Sequence, residues 1–348
     1  MKELTQQLES GIDLTPDQIG GAAAILLDEN ADAEAKGAFL KALAAKGETP
    51  EEVAAFVEAF LGYAGKPALD AAALSGPVID VCGTGGDKLD LFNVSTTGMF
   101  ILAGGGAFVA KHGNRSITSK SGGADVLEAL GVRIDLPPPQ FGEVLAEAGC
   151  AFLFAPVYHP AFKAVAPVRQ ALAKEGQRTV FNILGPLLNP ARPGYQLIGV
   201  FDDRLRLMFA EILRRLGRQG AWIAHGNAGG GQGMDEVSTL GKTHIAQLKG
   251  GDITEFVLDP ADLGIAAASL AELRGGDAAH NAALLEGILD GCVRGPQRDL
   301  ALLNAAAGFC ACGLAGDIAA GWARAKESLE SGAAEESLRK LQQLSSEA

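Results

Sequence analysis

The sequence predicts an α/β protein: a small all-helical N-terminal domain over residues 1–70, then a larger α/β domain with a mostly parallel sheet over 71–348. Three observations carry this expectation. Residues 1 to about 65 hold helix signals and no strand signal. From Pro77 onward, short apolar runs alternate with helical stretches, the pattern of a parallel sheet covered by helices. Glycine clusters follow several of those runs, which would put ligand-binding loops at the carboxyl ends of the strands.

In the first domain, Thr15-Pro16-Asp17-Gln18 offers a capping residue, a proline at the first helical position and a glutamine at the third. Thr49-Pro50-Glu51-Glu52 repeats the device, and Lys46-Gly47 is a helix stop just before it. Val53, Phe56, Val57, Phe60 and Leu61 then follow helical spacing, so one face is apolar. That face has to be buried on the rest of the chain or on a second copy. Helices from about 160–190 are expected to complete this domain. Residues 66–76 read as a linker. Beyond it, strands are expected at 77–82, 108–110, 132–136, 151–155, 197–201 and 221–224, with helices at 94–103 and 124–130.

Composition narrows the function. The 348 residues are 48% hydrophobic and 20% charged, an ordinary globular balance with ample material for a core. The net charge of −13 argues against nucleic acid as a partner, because phosphate neutralisation needs a basic surface. It leaves room for a small anionic ligand held by a local cluster of cations and amides. The five cysteines (Cys82, Cys150, Cys292, Cys310 and Cys312) are scattered in apolar surroundings and read as buried thiols of a reducing compartment. No stretch is long enough to span a membrane, and no signal-peptide core is visible, so a cytoplasmic location is expected.

The chemistry is concentrated in about thirty residues. Gly83-Thr84-Gly85-Gly86-Asp87 follows a buried strand, where backbone N–H groups can approach an anion and Asp87 can orient a hydroxyl or amine. A plain strand-to-helix turn would use the same residues. Asn93-Val94-Ser95-Thr96 opens a helix, whose free N–H groups and dipole favour phosphate; ordinary capping is the alternative. Lys111-His112-Gly113-Asn114-Arg115 follows the next strand and adds a cation and directional donors. Ser116, Ser119, Lys120 and Ser121 extend it as a polar loop. Asp235-Glu236, after a glycine-rich loop, suits Mg²⁺ bridged to substrate phosphates, or is simply a solvated pair. Arg169 offers a two-pronged clamp for a carboxylate, with His159 nearby in sequence.

These motifs, in this order and nearly end to end, resemble the anthranilate phosphoribosyltransferases of tryptophan biosynthesis. The resemblance continues through His159-Pro160-Ala161, Pro167-Val168-Arg169, residues 178–187, Asn189-Pro190, Asp235-Glu236 and residues 299–304. It implies a helical domain joined to an α/β domain with the active site between them, and a homodimer through the helical part. It also implies Mg²⁺-dependent transfer of phosphoribosyl from 5-phosphoribosyl 1-diphosphate (PRPP) to the amine of anthranilate. Carried over by position, Gly83, Gly85, Gly86, Asp87, Asn93, Ser95, Thr96, Lys111 and Ser119 would hold PRPP, and Ser95, Asp235 and Glu236 the metal. His112, Asn114, His159 and Arg169 would form the acceptor channel. Lys111, His112, Asn114 and Arg169 would be the catalytic set.

Some positions depart from the family pattern. Tyr158 stands where many members have a histidine, Gly123 replaces a common serine, and residues 173–175 look like a short insertion. The loop 226–234 is longer than usual. Tyr158 and the insertion are expected to touch the acceptor side. A phosphoribosyltransferase for a different aromatic acceptor is therefore the main alternative. A pyrimidine nucleoside phosphorylase, which shares the fold, is a second, although its base-recognition motif is not evident.

Overall fold

The computed structural model describes residues 1–116, 120–266 and 268–348. Ser119, an expected PRPP contact, lies outside the described residues. The chain opens with four helices, α1 (Lys2–Glu9), α2 (Pro16–Leu26), α3 (Ala33–Lys46) and α4 (Pro50–Gly62). Both capping boxes form as the sequence predicts. Glu52 also does more than cap. Its carboxylate accepts Thr49 N–H at 3.0 Å, Leu14 N–H at 2.9 Å and the Lys46 ammonium at 2.8 Å, with the residue 1% exposed. One side chain thus joins α4 to the entrance of α2 and the end of α3.

The apolar face of these helices packs on Val165, Val168, Leu172, Phe181 and Leu184. The same core runs on without a break to Ile198, Ile223 and Leu248 of the sheet, and to Val200 just past the strand that carries Ile198. The helical part is therefore seated on one side of the sheet. The other side is covered by α5 (Val94–Gly104) and by the helices Pro296–Ala311 and Ala333–Glu347, which contribute to a second core.

The strands are β1 (Val78–Gly83), β2 (Phe108–Gly113), β3 (Cys150–Phe154), β4 (Tyr195–Gly199), β5 (Gly220–Asn227), β6 (Gly233–Met234), β7 (Thr243–Lys249) and β8 (Asp252–Leu258). Their order is β3-β2-β1-β4-β5-β7-β8, with β6 paired to β5. The first five are parallel; β6, β7 and β8 join antiparallel. The chain builds outward from β1 to β3, then returns to the other side of β1 as β4. The crevice between β1 and β4 is thus a topological switch point, where α/β sheets bind ligands.

The structure corrects several local expectations. Residues 132–136 form no strand. Val132, Ile134 and Leu136 are buried in alternation, as a strand pattern requires. However, the C-terminal helix covers them: Arg133 N–H donates to Ser345 Oγ at 3.1 Å. Alternating burial was satisfied by side-chain packing, without a neighbouring strand. β2 runs on to Gly113, so Lys111 and His112 are strand residues and not part of the loop after it. The β7–β8 hairpin was missed, although Gly250-Gly251 between two alternating runs is a turn signal. All five cysteines are free; Cys150 and Cys312 are buried as expected, but Cys82 and Cys310 are half-buried and Cys292 is exposed.

Glu52→Ala removes the acceptor for three donors at once. It should lower the unfolding free energy by roughly 3 kcal/mol, measured by urea denaturation. A loss of a few tenths would reject the clamp.

Candidate active site

Gly83 and Gly199 end β1 and β4 side by side in register. A Cβ at Gly199 would collide with the backbone of Asp235, and one at Gly83 would lie 2.9 Å from Asp235 Oδ2. The absence of both side chains lets the segment carrying Asp235 and Glu236 cross the crevice in close contact. Asp235 Oδ2 there accepts Gly85 N–H at 2.6 Å, and Asp87 Oδ2 accepts Asp235 N–H at 3.3 Å. Gly85 takes φ +69°, which favours glycine. A Cβ at Gly86 would run into the Phe201 ring. Lys88 and Asp90, in the same loop, also hold positive φ (+58° and +54°), a strained backbone for non-glycine residues.

Beside this loop, Asn93 is the N-cap of α5, and Ser95 and Thr96 lie in its first turn. This is the positive end of the helix dipole. Lys111 is buried (4% exposed) and donates to Val81 O at 2.5 Å and Ser95 Oγ at 3.1 Å. Its cation therefore sits beneath the N-terminus of α5. Two carboxyls meet this cluster. Burial, with the facing Asp87 carboxylate, holds Asp235 well above the usual carboxylate range. Burial raises Glu236 to about 8, against the pull of Lys111.

A cation would offset this crowding, so the donor set fits a divalent ion. Among the described residues, no three His, Cys, Asp or Glu side chains converge as a complete cage. The carboxyls would supply part of a coordination shell, as Mg²⁺ requires when phosphate oxygens complete it.

A cavity of about 520 Å³ adjoins the glycine turn and is lined by Gly83, Thr84, His112, Asn114, His159, Phe162, Arg169, Phe181 and Pro186, among others. The His112 and His159 rings meet edge to face at 5.2 Å. Burial lowers His112 to about 3 and also lowers His159, so both rings are neutral near pH 7. His159 Nε2 lies 2.9 Å from Leu188 O, while His159 Nδ1 and His112 Nε2 are buried with no hydrogen-bond partner among the described residues. Arg169 stacks over Phe181 at 4.8 Å, and among the described residues no carboxylate pairs with it. Burial lowers its pKa, marking a guanidinium short of solvent.

The structure thus brings together Gly83, Gly85, Gly86, Asp87, Ser95, Lys111, Asp235 and Glu236 on one side. It brings His112, Asn114, His159 and Arg169 together on the other. Tyr158 is not on the acceptor side. It is fully buried, packs on Phe141 and directs its hydroxyl to Leu136 O. Residues 173–175 end the helix Ala166–Lys174 away from the cavity, where Glu175 pairs with Lys41 at 2.7 Å. The expectation that these two departures touch the acceptor side is corrected.

Sequence reasoning missed the support behind the site. Asp80 is buried on β1 and accepts His112 N–H at 3.3 Å and Asn189 Nδ2–H at 2.9 Å. Asn189 also donates to Ala110 O at 2.7 Å. This node fixes β1, β2 and the segment 185–189 that walls the cavity. A lone acid inside the apolar run of residues 77–82 was the available signal.

Comparison with known proteins agrees with this architecture. Residues 2–64 match the helical bundle domain of the glycosyl transferase family, and residues 75–335 match its a/b domain. Helical bundle and a/b domain together define the class as a glycosyl transferase of this kind. The chain is 43% identical over 332 residues to the anthranilate phosphoribosyltransferase of Desulfatibacillum aliphaticivorans, covering 95% of each protein. It superposes on the crystal structure of the Thermus thermophilus enzyme of that name with a TM-score of 0.89, at 38% identity and covering 99% of each chain. The Saccharomyces cerevisiae enzyme in complex with PRPP and Mg gives a TM-score of 0.87 at 28% identity, covering 99% of this chain and 98% of that one. The chain belongs to the anthranilate phosphoribosyltransferase family.

Two outcomes are expected. Gly199→Ala should push the Asp235 segment off the crevice, and amide hydrogen exchange at 234–237 should quicken by at least about tenfold. Unchanged protection would reject the close-approach argument. For His112, a lowered pKa means the folded state binds fewer protons than the unfolded state between pH 3 and 6.5. Its contribution is full above pH 6.5 and is lost as pH falls towards 3. The stability of His112→Asn relative to wild type should therefore improve on acidification, by up to about 1.4 kcal/mol per pH unit. A pH-independent difference would reject a neutral buried ring.

Proposed function

We propose that the protein transfers the phosphoribosyl group of PRPP to the amine of anthranilate, releasing diphosphate. The observation that carries this reading is the adjoining pair of half-sites. One is an anion-binding crevice rich in backbone donors with two crowded carboxyls. The other is a cavity with an arginine that has no carboxylate partner among the described residues, and two neutral histidines. In the reaction the C1–N bond forms as the C1–O bond to diphosphate breaks, and the amine gives up a proton. An aryl amine is neutral at pH 7, so no strong base is needed. Placement and electrostatics suffice for an oxocarbenium-like transition state.

In this reading Gly83, Gly85, Gly86, Asp87, Asn93, Ser95, Thr96 and Lys111 bind PRPP. Ser119 remains an expected contact from sequence alone. Ser95, Asp235 and Glu236 would hold Mg²⁺, which would supply charge neutralisation for the departing diphosphate. Arg169 takes the anthranilate carboxylate, and His112, Asn114 and His159 line its path. The bare nitrogens of the two histidines suit the amine's N–H groups or ordered water. Lys111 acts from beneath, as a buried cation stabilising the phosphate end of α5.

A helical domain over 1–70, completed by the stretch 160–190, belongs to the same reading, supported by their common core. So does a homodimer through that domain. Ile12 (56% exposed) and Tyr63 (50%), two large apolar side chains facing solvent, both lie there. No described helix is long and apolar enough to cross a membrane. A cytoplasmic enzyme with no nucleic-acid partner fits that fact and the net charge of −13.

The test is the loss of anthranilate fluorescence on mixing the protein with PRPP and Mg²⁺. A rate requiring all of them is expected. PRPP binding without turnover would favour another aromatic acceptor, and phosphorolysis of uridine or thymidine would favour a nucleoside phosphorylase. Arg169→Ala should raise the anthranilate KM by about tenfold or more while the PRPP KM stays within twofold. Equal rises in both would remove the carboxylate role.

A further inference from the structure

Asn93 occupies the N-cap of α5, a position where asparagine ordinarily bonds the N–H of the second or third helical residue. Here its side chain makes no such cap. It is turned outward. Asn93 Oδ1 accepts from Asn281 Nδ2 at 2.8 Å, and Asn93 Nδ2 donates to Ser121 O at 3.2 Å. Asn281 lies one turn into the helix Ala278–Leu289 and is 3% exposed. Its own orientation is fixed from behind, because Asn281 Oδ1 accepts Gly276 N–H at 2.8 Å. An amide with its oxygen committed to Gly276 can present only N–H to Asn93. Asn93 must then answer with its oxygen, which turns its N–H₂ towards Ser121.

We propose that Asn281 is a positioning residue: it withdraws the Asn93 amide from capping α5 and so keeps Thr96 N–H, the third amide of that helix, open for the donor's phosphate. Val94 N–H is already taken by Phe92 O, and Ser95 N–H by Glu236. The inference rests on the donor-binding reading above. The competition it describes is simple. Freed from Asn281, Asn93 rotates back to its usual cap and occupies the Thr96 amide that an anion would use. The relay also ties three segments that are far apart in sequence: the entrance of α5, the polar loop at Ser121 and the turn before the helix Ala278–Leu289. The glycine loop is braced from the same side, with Gly275 N–H donating to Asp90 O at 2.9 Å and Phe92 N–H to Leu273 O at 3.3 Å.

Asn281→Ala and Asn281→Asp separate positioning from scaffolding. Aspartate keeps an acceptor for Gly276 N–H but has no N–H for Asn93. Both variants should raise the Kd for PRPP with Mg²⁺, by calorimetry, and the PRPP KM by about fivefold or more, the scale of one competing cap. The anthranilate KM should stay within twofold. In an Asn93→Ala background, Asn281→Ala should add less than twofold, since no side chain remains to cap the helix. The inference is overturned if Asn281→Asp behaves as wild type, which would assign the residue to holding Gly276 alone. It is also overturned if the two alanine substitutions add fully, or if both KM values rise together. Wild-type protein that binds no PRPP would overturn the donor reading and this inference with it.

Discussion

The donor side of this protein depends on three backbones passing closer together than side chains allow. Gly83 and Gly199 leave the crevice between β1 and β4 without a Cβ, and the Asp235 segment fills that space. Once it is there, its geometry propagates. Asp235 takes the Gly85 amide and offers its own amide to Asp87, so the glycine loop is closed from above by the residues that also crowd their carboxyls together. Sheet topology supplies the position, since only at the reversal of strand order do two neighbouring strand ends lead their loops apart. A single methyl group at Gly199 would separate parts drawn from residues 83, 199 and 235.

A chain of net charge −13 can still favour an anion, because the relevant field is local. The donor side concentrates partial positive charge from the α5 N-terminus and full charge from Lys111, which is held by Val81 O and Ser95 Oγ and is not free to swing outward. Its carboxyls, by contrast, sit at raised pKa and are receptive to a cation. The acceptor side is nearly the reverse. Its histidines are neutral because burial outweighs the carbonyl hydrogen bonds that would favour protonation. In the proposed reading, charge decides which end of each ligand enters which half, before shape does.

Legibility in the sequence followed how local each device is. Capping boxes, glycine turns and the strands around them are short-range, and 15–18, 49–52 and 83–87 could be read directly. Residues 132–136 show the limit. Alternating burial reports that one face is covered, not that the cover is another strand, and here the cover is the C-terminal helix. Tyr158 shows another. A residue adjoining a site residue in sequence points the opposite way in the fold, towards Phe141. The amides were the least readable. Asn189 and Asn281 are ordinary polar residues until tertiary structure gives them Asp80 and Asn93 as partners, and no periodicity or spacing announces such pairs.

In the proposed reading, Arg169 converts burial into selectivity on the acceptor side. Its guanidinium is partly desolvated, stacked on Phe181 and without a carboxylate partner among the described residues. The stacking returns only part of the lost hydration, of order 1–2 kcal/mol for a cation over an aromatic face. A carboxylate-bearing ligand therefore meets a cation whose competing water has already been thinned, so each hydrogen bond it makes there counts for more than at the surface. Lys163, the other cation of the lining, is exposed to solvent; were His112 or His159 protonated, the same carboxylate would meet a further buried cation beside Arg169. Their burial removes that cation. In the proposed reading the neutral histidines and the buried Arg169 act together, the uncharged members directing the anion by declining to attract it.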